Sequence, residues 1–512
     1  METNVQTPAS PKTATTSTAP VGGLPRVLGP VMGTALVIGT VIGSGVFRKP
    51  SIIADSVPSF AYVALVWILG GVLALVGALA IAEVAVLYPR EGGNLVYLRE
   101  GYGRLWAFLW GWVEIWIIRT ASIAALATAF TQSFHDVIRE CNGYARDQRF
   151  FSVRAEIGIT AIIIVALALV NIRGVKWGGV LQVFITTVKV ATLLAILILP
   201  FVLWGRAQAN SSVTPAASLP AFSFGGLGAA MLGVLWAYHG WMNVTMISGE
   251  IRQPQRNIPI SVIGGVGVVI FLYLGANVAY HLVIPQQEMS QLRHVKQADS
   301  TEDLDIPVVA EFARRLLGPI GVILASAALM CSTFGALNGN LLAGPRALYA
   351  LGEDRMAPKA LSEVHPTFKT PALAIAVEAA WACLLVLGGA ALSTGSLPVI
   401  DVSPTREINF NLPANKPLFD ILTDFAMFGS ILFETLALST IFVFRMRQPN
   451  AERPYRCIGY PLVPIIYVAV MSVVAINTLL TQTTEAMIGL IFISVGALVY
   501  VLFVPKTAPN LQ

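Results

Sequence analysis

Apolar runs of about 20 residues, separated by short polar stretches, recur along almost the whole chain. They cover approximately 27–47, 60–88, 106–134, 156–172, 178–204, 223–249, 259–284, 318–343, 372–392, 421–444, 461–481 and 484–504. A helix of about 20 apolar residues crosses a bilayer's hydrocarbon layer, and in lipid every backbone polar group must be satisfied within such a segment. The pattern predicts an all-α polytopic membrane protein with about twelve transmembrane helices. Two runs are spoiled at mid-membrane depth. In the first, Ile42-Gly43-Ser44-Gly45-Val46-Phe47 sets two glycines around a serine, and each glycine costs a helix about 1 kcal/mol relative to alanine. In the sixth, Trp236-Ala237-Tyr238-His239-Gly240-Trp241-Met242-Asn243 places a His-Gly pair among aromatics. Backbone freed by such a break cannot face lipid, so each break must line a cavity or a buried site.

For the first break alone, close approach of a neighbouring helix explains the glycines equally well. The second break decides between the two. Five spans separate the breaks, so helices 1 and 6 cross in opposite senses, the arrangement of an inverted repeat whose broken helices meet near the midplane. The boundaries that follow are a disordered cytoplasmic tail at 1–25, a first repeat of five helices at 26–205 and an inverted second repeat at 206–445. Helices 11 and 12 occupy 446–505, and a short tail follows at 506–512. The first 25 residues are rich in Thr, Ser, Pro and Ala and lack the charged n-region of a signal peptide.

Glu114, Arg119 and Lys189 lie inside apolar runs, where charges are expensive and normally face the bundle interior. Glu114 and Arg119 are five apart on helix 3. That spacing does not set them squarely on one helical face, so each can pair with another helix, and the two read either as structural ion pairing or as a direct part of transport. Lys189 sits near mid-membrane in helix 5, too deep to snorkel. It is expected either to serve as a fixed cation in place of a bound sodium ion or in a proton-linked role, or to bond carbonyls of the broken first helix. The stretch 135–155 reads as a polar outer loop containing Cys141. The run IPVVAEFARRLLG before helix 8 reads as a surface helix or lid, and 393–417 as a long outer loop.

Composition agrees with a membrane protein: 55% of residues are hydrophobic, 12% are charged, and the mean hydropathy is +0.72. The pI near 9.0 does not indicate nucleic-acid binding, because the basic residues are spread over short loops. Lysine and arginine are in modest excess on the side that holds both termini, which favours cytoplasmic termini. Four widely spaced cysteines give neither a metal pattern nor a disulfide framework, and five scattered histidines lack HExxH spacing. No metal, no cofactor and no catalytic residues are expected, and an integral-membrane enzyme is the weakest reading.

Seven segments in order resemble the amino acid–polyamine–organocation superfamily, most closely the L-type amino acid transporter family and its bacterial exchangers. They are IGSGVF, YPREGGNLVYLREGYG, WVEIWIIRT, the helix-5 lysine, WAYHGWMNVTMISGEIRQPQRNIP, STFGALNGNLLAGPRALYALGED and RPYRCIGYPLVPIIY. The resemblance implies the leucine-transporter fold, with a 5+5 inverted repeat and discontinuous helices 1 and 6. It implies that backbone N–H groups at Ile42, Gly43, Ser44 and Gly45 bind a substrate carboxylate. It also implies that carbonyls near Trp236, Ala237 and Tyr238 bind the ammonium, with His239, Gly240 and Asn243 beside them. A helix-5 lysine marks sodium-independent members. His239 and Met242 depart from the residues relatives often carry; the histidine could read the substrate side chain, titrate, or bond the broken backbone. Animal members pair with a heavy subunit through an outer-loop cysteine, but the surroundings of Cys141 do not match, so no heavy subunit is expected.

The reading is a secondary transporter of the inner or plasma membrane, carrying L-amino acids, most simply neutral ones, by alternating access. Its partners are the substrate and the bilayer, not nucleic acid. A non-transporting amino acid sensor on the same scaffold is the alternative that fold alone leaves open.

Overall fold

The computed structural model describes residues 24, 26–144, 150–209, 221–292, 295–296, 303–304, 306–392, 399–403, 406–409, 418–481 and 483–505. The terminal tails, apart from Leu24, lie outside the described residues. So does the 393–417 loop, apart from a hairpin of Val399–Ser403 with Arg406–Asn409. Among the described residues ten helices are long and apolar enough to cross a membrane. They are Pro30–Ser56, Phe60–Leu87, Arg104–Cys141, Val153–Ile172, Trp177–Val202, Pro254–Val283, Pro319–Glu353, Ala426–Arg447, Leu462–Leu480 and Ala486–Phe503. Two shorter apolar helices, Phe224–Tyr238 and Ala372–Gly388, complete the set. In chain order these twelve are spans 1 to 12, matching the sequence pattern. Span 6 falls short because the chain breaks at its middle.

Local chemistry sets several ends. Ser152 and Ser223 cap spans 4 and 6, their hydroxyls accepting from the N–H groups of Ala155 and Gly226. Pro30 and Pro319 open spans 1 and 8, where a missing N–H costs nothing. Span 3 departs from expectation in two ways. Its helix continues to Cys141, so the polar loop begins later than 135; an Asp136–Arg139 ion pair at 3.0 Å shows why polar residues at helical spacing stayed helical. In addition Glu114–Arg119 form a π-turn.

Spans 1 and 3 are the most enclosed, and span 12 is the least. Spans 3 and 8 pack along one another, and spans 11 and 12 sit at the periphery on spans 2, 3 and 10. The run before span 8 forms the amphipathic helix Val308–Leu317, which buries Val308, Val309, Phe312 and Leu316. Its Glu311 pairs with Arg314 and Arg315, and Arg315 reaches Glu288.

At the opposite end from that helix, the segment after the span-6 break is sewn to its neighbours. The Leu28 N–H donates to the Glu250 carbonyl at 3.0 Å, Arg252 N–H to Leu28 at 2.8 Å, and Gly92 N–H to Met246 at 2.9 Å. Beneath them Arg346 Nε meets Glu250 at 2.8 Å, both side chains fully buried. This end of the molecule is closed.

Candidate functional site

Span 1 is two half-helices, Pro30–Val41 and Gly45–Ser56, joined by a non-helical turn at 42–44. The break frees carbonyls at one end and N–H groups at the other, and the two sets fare differently. Every carbonyl of the turn has a donor. Lys189 Nζ reaches the Gly39 and Ile42 oxygens, both at 2.7 Å. Ser332 Oγ reaches Ile42 at 3.0 Å and Gly43 at 2.8 Å, and the Tyr273 hydroxyl reaches Val41 at 2.9 Å. By contrast, no backbone acceptor meets the N–H groups of Ser44, Gly45 or Val46 among the described residues. They stand at the positive start of a half-helix, and the Ser44 hydroxyl beside them is buried without a partner.

Span 6 stops at Tyr238. His239 turns extended (ψ 151°), and Gly240 takes φ +105°, a conformation that favours glycine. A short helix, Asn243–Met246, resumes the direction. Of the freed carbonyls, Trp236 accepts from the His239 N–H at 3.1 Å and Ala237 from the Tyr273 hydroxyl at 3.1 Å. The single Tyr273 hydroxyl proton lies within reach of carbonyls from both breaks, so one tyrosine on span 7 sits between them and shares its bond. They also touch directly: a methyl group at Gly45 would lie 2.5 Å from Ala237 Cα, and one at Gly240 would lie 3.2 Å from the Thr40 carbonyl. Thr40 Oγ1 in turn donates to the Gly240 carbonyl at 3.0 Å.

Between the breaks lies a small polar cavity. It is lined by Val41, Gly43, Ser44 and Gly45 from the first, by Trp236, His239 and Gly240 from the second, and by Thr40, Ser122, Leu126 and Asn340. Ile42, Ala237, Tyr238 and Asn243 stand behind it. The Tyr238 ring packs against Trp67 and Tyr273 instead. Ser122 and Leu126 were not legible in the sequence, since nothing marks them within an apolar helix. Asn340 belongs to the small-polar stretch of span 8, which did point inward.

The charged residues behave as a set. Glu114 and Arg119 pair with each other: Arg119 Nε meets Glu114 Oε1 at 2.8 Å and Nη2 meets the same oxygen. Glu114 thus finds its partner on its own helix, whereas Arg119 reaches other helices as well. A π-turn bonds i to i+5, so a spacing of five, off-register in an α-helix, sits over itself here. Arg119 also holds Asn243 Oδ1 at 3.1 Å and Asn340 Oδ1, joining this pair to the cavity wall. Lys189, fully buried, is spent on the first break as one of its expected roles had it. His239 stacks on Trp236 and meets Glu434 of span 10 at 3.1 Å, a partner not singled out at the level of sequence.

A membrane-spanning bundle in which two broken helices face a polar cavity, leaving bare N–H groups on one side, defines a carrier of small solutes. The chain belongs to the amino acid permease family, whose sequence model matches residues 28–511. It is similar to the serine/threonine exchanger SteT of Bacillus subtilis, at 31% identity over 93% of this chain and 97% of that protein. It is also similar to the human b(0,+)-type amino acid transporter 1, at 27% over 94% of this chain and 88% of the relative. The human cystine/glutamate transporter matches at 27%, over 92% and 84%. The protein is thus an integral-membrane amino acid transporter and not an enzyme. Nothing in these relatives supports setting a heavy subunit aside, and that expectation is withdrawn.

Proposed function

We propose that this protein exchanges neutral L-amino acids across the cell membrane by alternating access, without sodium. The observation that carries it is the asymmetry of the first break, where carbonyls are all taken and three N–H groups are not. A zwitterion needs donors for its carboxylate and acceptors for its ammonium. The Ser44, Gly45 and Val46 N–H groups supply the donors, as half-helix N-termini do for anions. The Tyr238 carbonyl, and the second lone pairs of the Trp236 and Ala237 carbonyls, supply the acceptors. The remaining wall (Val41, Leu126, Thr40, Ser122, Asn340) offers apolar and hydroxyl or amide groups, which suits a neutral side chain and agrees with the serine and threonine named for one relative.

Lys189 supports sodium independence, since its ammonium already bonds the oxygens at the break that a metal ion would need. The repeats at 26–205 and 206–445 rest on the matching positions of the two breaks, and the cytoplasmic termini on the distribution of basic residues. Purified protein in liposomes preloaded with unlabelled serine is expected to take up labelled serine from sodium-free buffer. Absence of uptake would overturn the transport reading, and an absolute need for sodium would overturn the role given to Lys189.

A further inference from the structure

Glu434 stands in span 10, within the stretch Ala426–Arg447 that is long and apolar enough to cross a membrane. A carboxyl at such depth faces protein or a polar cavity and needs a partner. Among the described residues it has one hydrogen-bond partner, His239 of the second break, whose Nε2 lies 3.1 Å from Oε1. An ionised carboxylate only accepts, so Nε2 carries the proton between them. Among the described residues the neighbours of span 10 bring no other cation to this acid. Arg119 of span 3 is spent on Glu114, Asn243 and Asn340. Arg445, nearer the end of span 10, pairs with Glu83 of span 2, and Arg99 pairs with Asp354. Spans 11 and 12 (Leu462–Thr481 and Thr483–Phe503) and the half-helix Phe224–Tyr238 contain no lysine or arginine. Lys49 meets the span-10 helix at Thr423, close to its start at Leu418.

His239 lines the cavity and is the ionisable side chain among the residues that do, whereas Glu434 does not line it. The imidazole stacks on the Trp236 ring, with 6.2 Å between centroids and 9° between planes, so a second contact holds it in place. The pair is nevertheless not sealed in protein: 13% of the His239 side chain and 15% of that of Glu434 remain open. A carboxylate reached from the cavity would draw in an ammonium or a guanidinium, since charge-assisted hydrogen bonds are the strong ones. With the imidazole on it, that carboxylate is already satisfied. A cationic side chain entering the cavity then loses its water and finds no charged acceptor in return.

We propose that His239 sets selectivity by masking Glu434: the imidazole keeps an acid beside the cavity from pairing with substrate, and so excludes amino acids with cationic side chains. The masked acid is the latent half of a site for side chains of the lysine and arginine type. Removing the ring opens the space and the charge together. The substrate's own carboxylate and ammonium would still lie between the two breaks, and its side-chain cation would take the place of Nε2 on Glu434 Oε1. The inference rests on the amino acid transport reading and gives the neutral selectivity stated there a physical cause.

The test reads arginine exchange, a gain that only a folded, working carrier can show. Liposomes preloaded with unlabelled arginine are given labelled arginine, and parallel liposomes preloaded with serine are given labelled serine. Wild type is expected to exchange serine and to exchange arginine at least about tenfold more slowly, the effect of one charge-assisted bond. His239→Ala and His239→Gly are each expected to gain arginine exchange, raising the arginine-to-serine ratio by about tenfold or more. Adding Glu434→Gln to either is expected to remove that gain. Exchange of citrulline, which has arginine's length without its charge, should not respond to the added Glu434→Gln. Arginine exchange by wild type equal to its serine exchange, no gain in either single variant, or a gain that survives Glu434→Gln would overturn the proposal. No serine exchange by wild type would instead overturn the transport reading.

Discussion

Gly45 and Gly240 are the positions where the site depends on having no side chain. Gly45→Ala would drive its methyl into Ala237, whose backbone cannot yield without moving the other half-helix. Binding of serine, measured by calorimetry, is expected to weaken at least tenfold, while a variant that binds as wild type would argue that the breaks are not in contact. Lys189→Ala removes two charge-assisted bonds, each worth about 1.5–3 kcal/mol when the partner group would otherwise stay buried and unpaired. A lower melting temperature in detergent and loss of exchange are expected, with Lys189→Arg unable to restore either because its planar fork differs from a compact ammonium. At this scale the sequence was informative where a residue violates its surroundings: glycines in an apolar helix, a lysine in mid-membrane, a His-Gly pair. Ser122 and Leu126 violate nothing, and only the packing of span 3 on span 8 reveals them.

At the scale of elements, the closed end hangs on two contacts with different signatures. Arg346 and Glu250 form a fully buried pair between the last segment of span 8, Pro345–Glu353, and the turn after span 6. Removing one partner strands the other, so Arg346→Met alone is expected to cost about 3–5 kcal/mol, and the double variant with Glu250→Leu much less. Thermal unfolding of the single and double variants checks the order. The loop after span 2 is held by Glu91, which bridges to Ile247 and lies over Gly249. Burial pushes the Glu91 carboxyl above its ordinary 4.5. The folded protein therefore holds that proton at pH values where the unfolded chain has released it, and stability falls as pH rises through the window just above 4.5. Melting temperatures across pH should fall less steeply over that window in Glu91→Gln than in wild type. The pairing of Glu114 with Arg119 was not legible, because an α-helical wheel separates residues five apart. The π-turn that unites them follows from tertiary packing, not from any local propensity.

For the whole molecule, hydropathy alone marked twelve spans in the right order, because lipid allows a spanning segment so few options. It could not give the lateral arrangement, which depends on side-chain fit between helices of similar composition. Nor could it show that spans 11 and 12 are peripheral except by their lack of breaks and of mid-membrane charge. What unifies the molecule is the meeting of two interrupted helices, sharing Tyr273 and packed glycine against backbone, with bare N–H groups on one side of a polar cavity. A cryo-microscopy structure with bound serine tests this directly. The expected result is a carboxylate within hydrogen-bond distance of the Ser44, Gly45 and Val46 N–H groups and an ammonium on the carbonyls before His239. Serine bound elsewhere, or with its carboxylate turned away from residues 44–46, would contradict it.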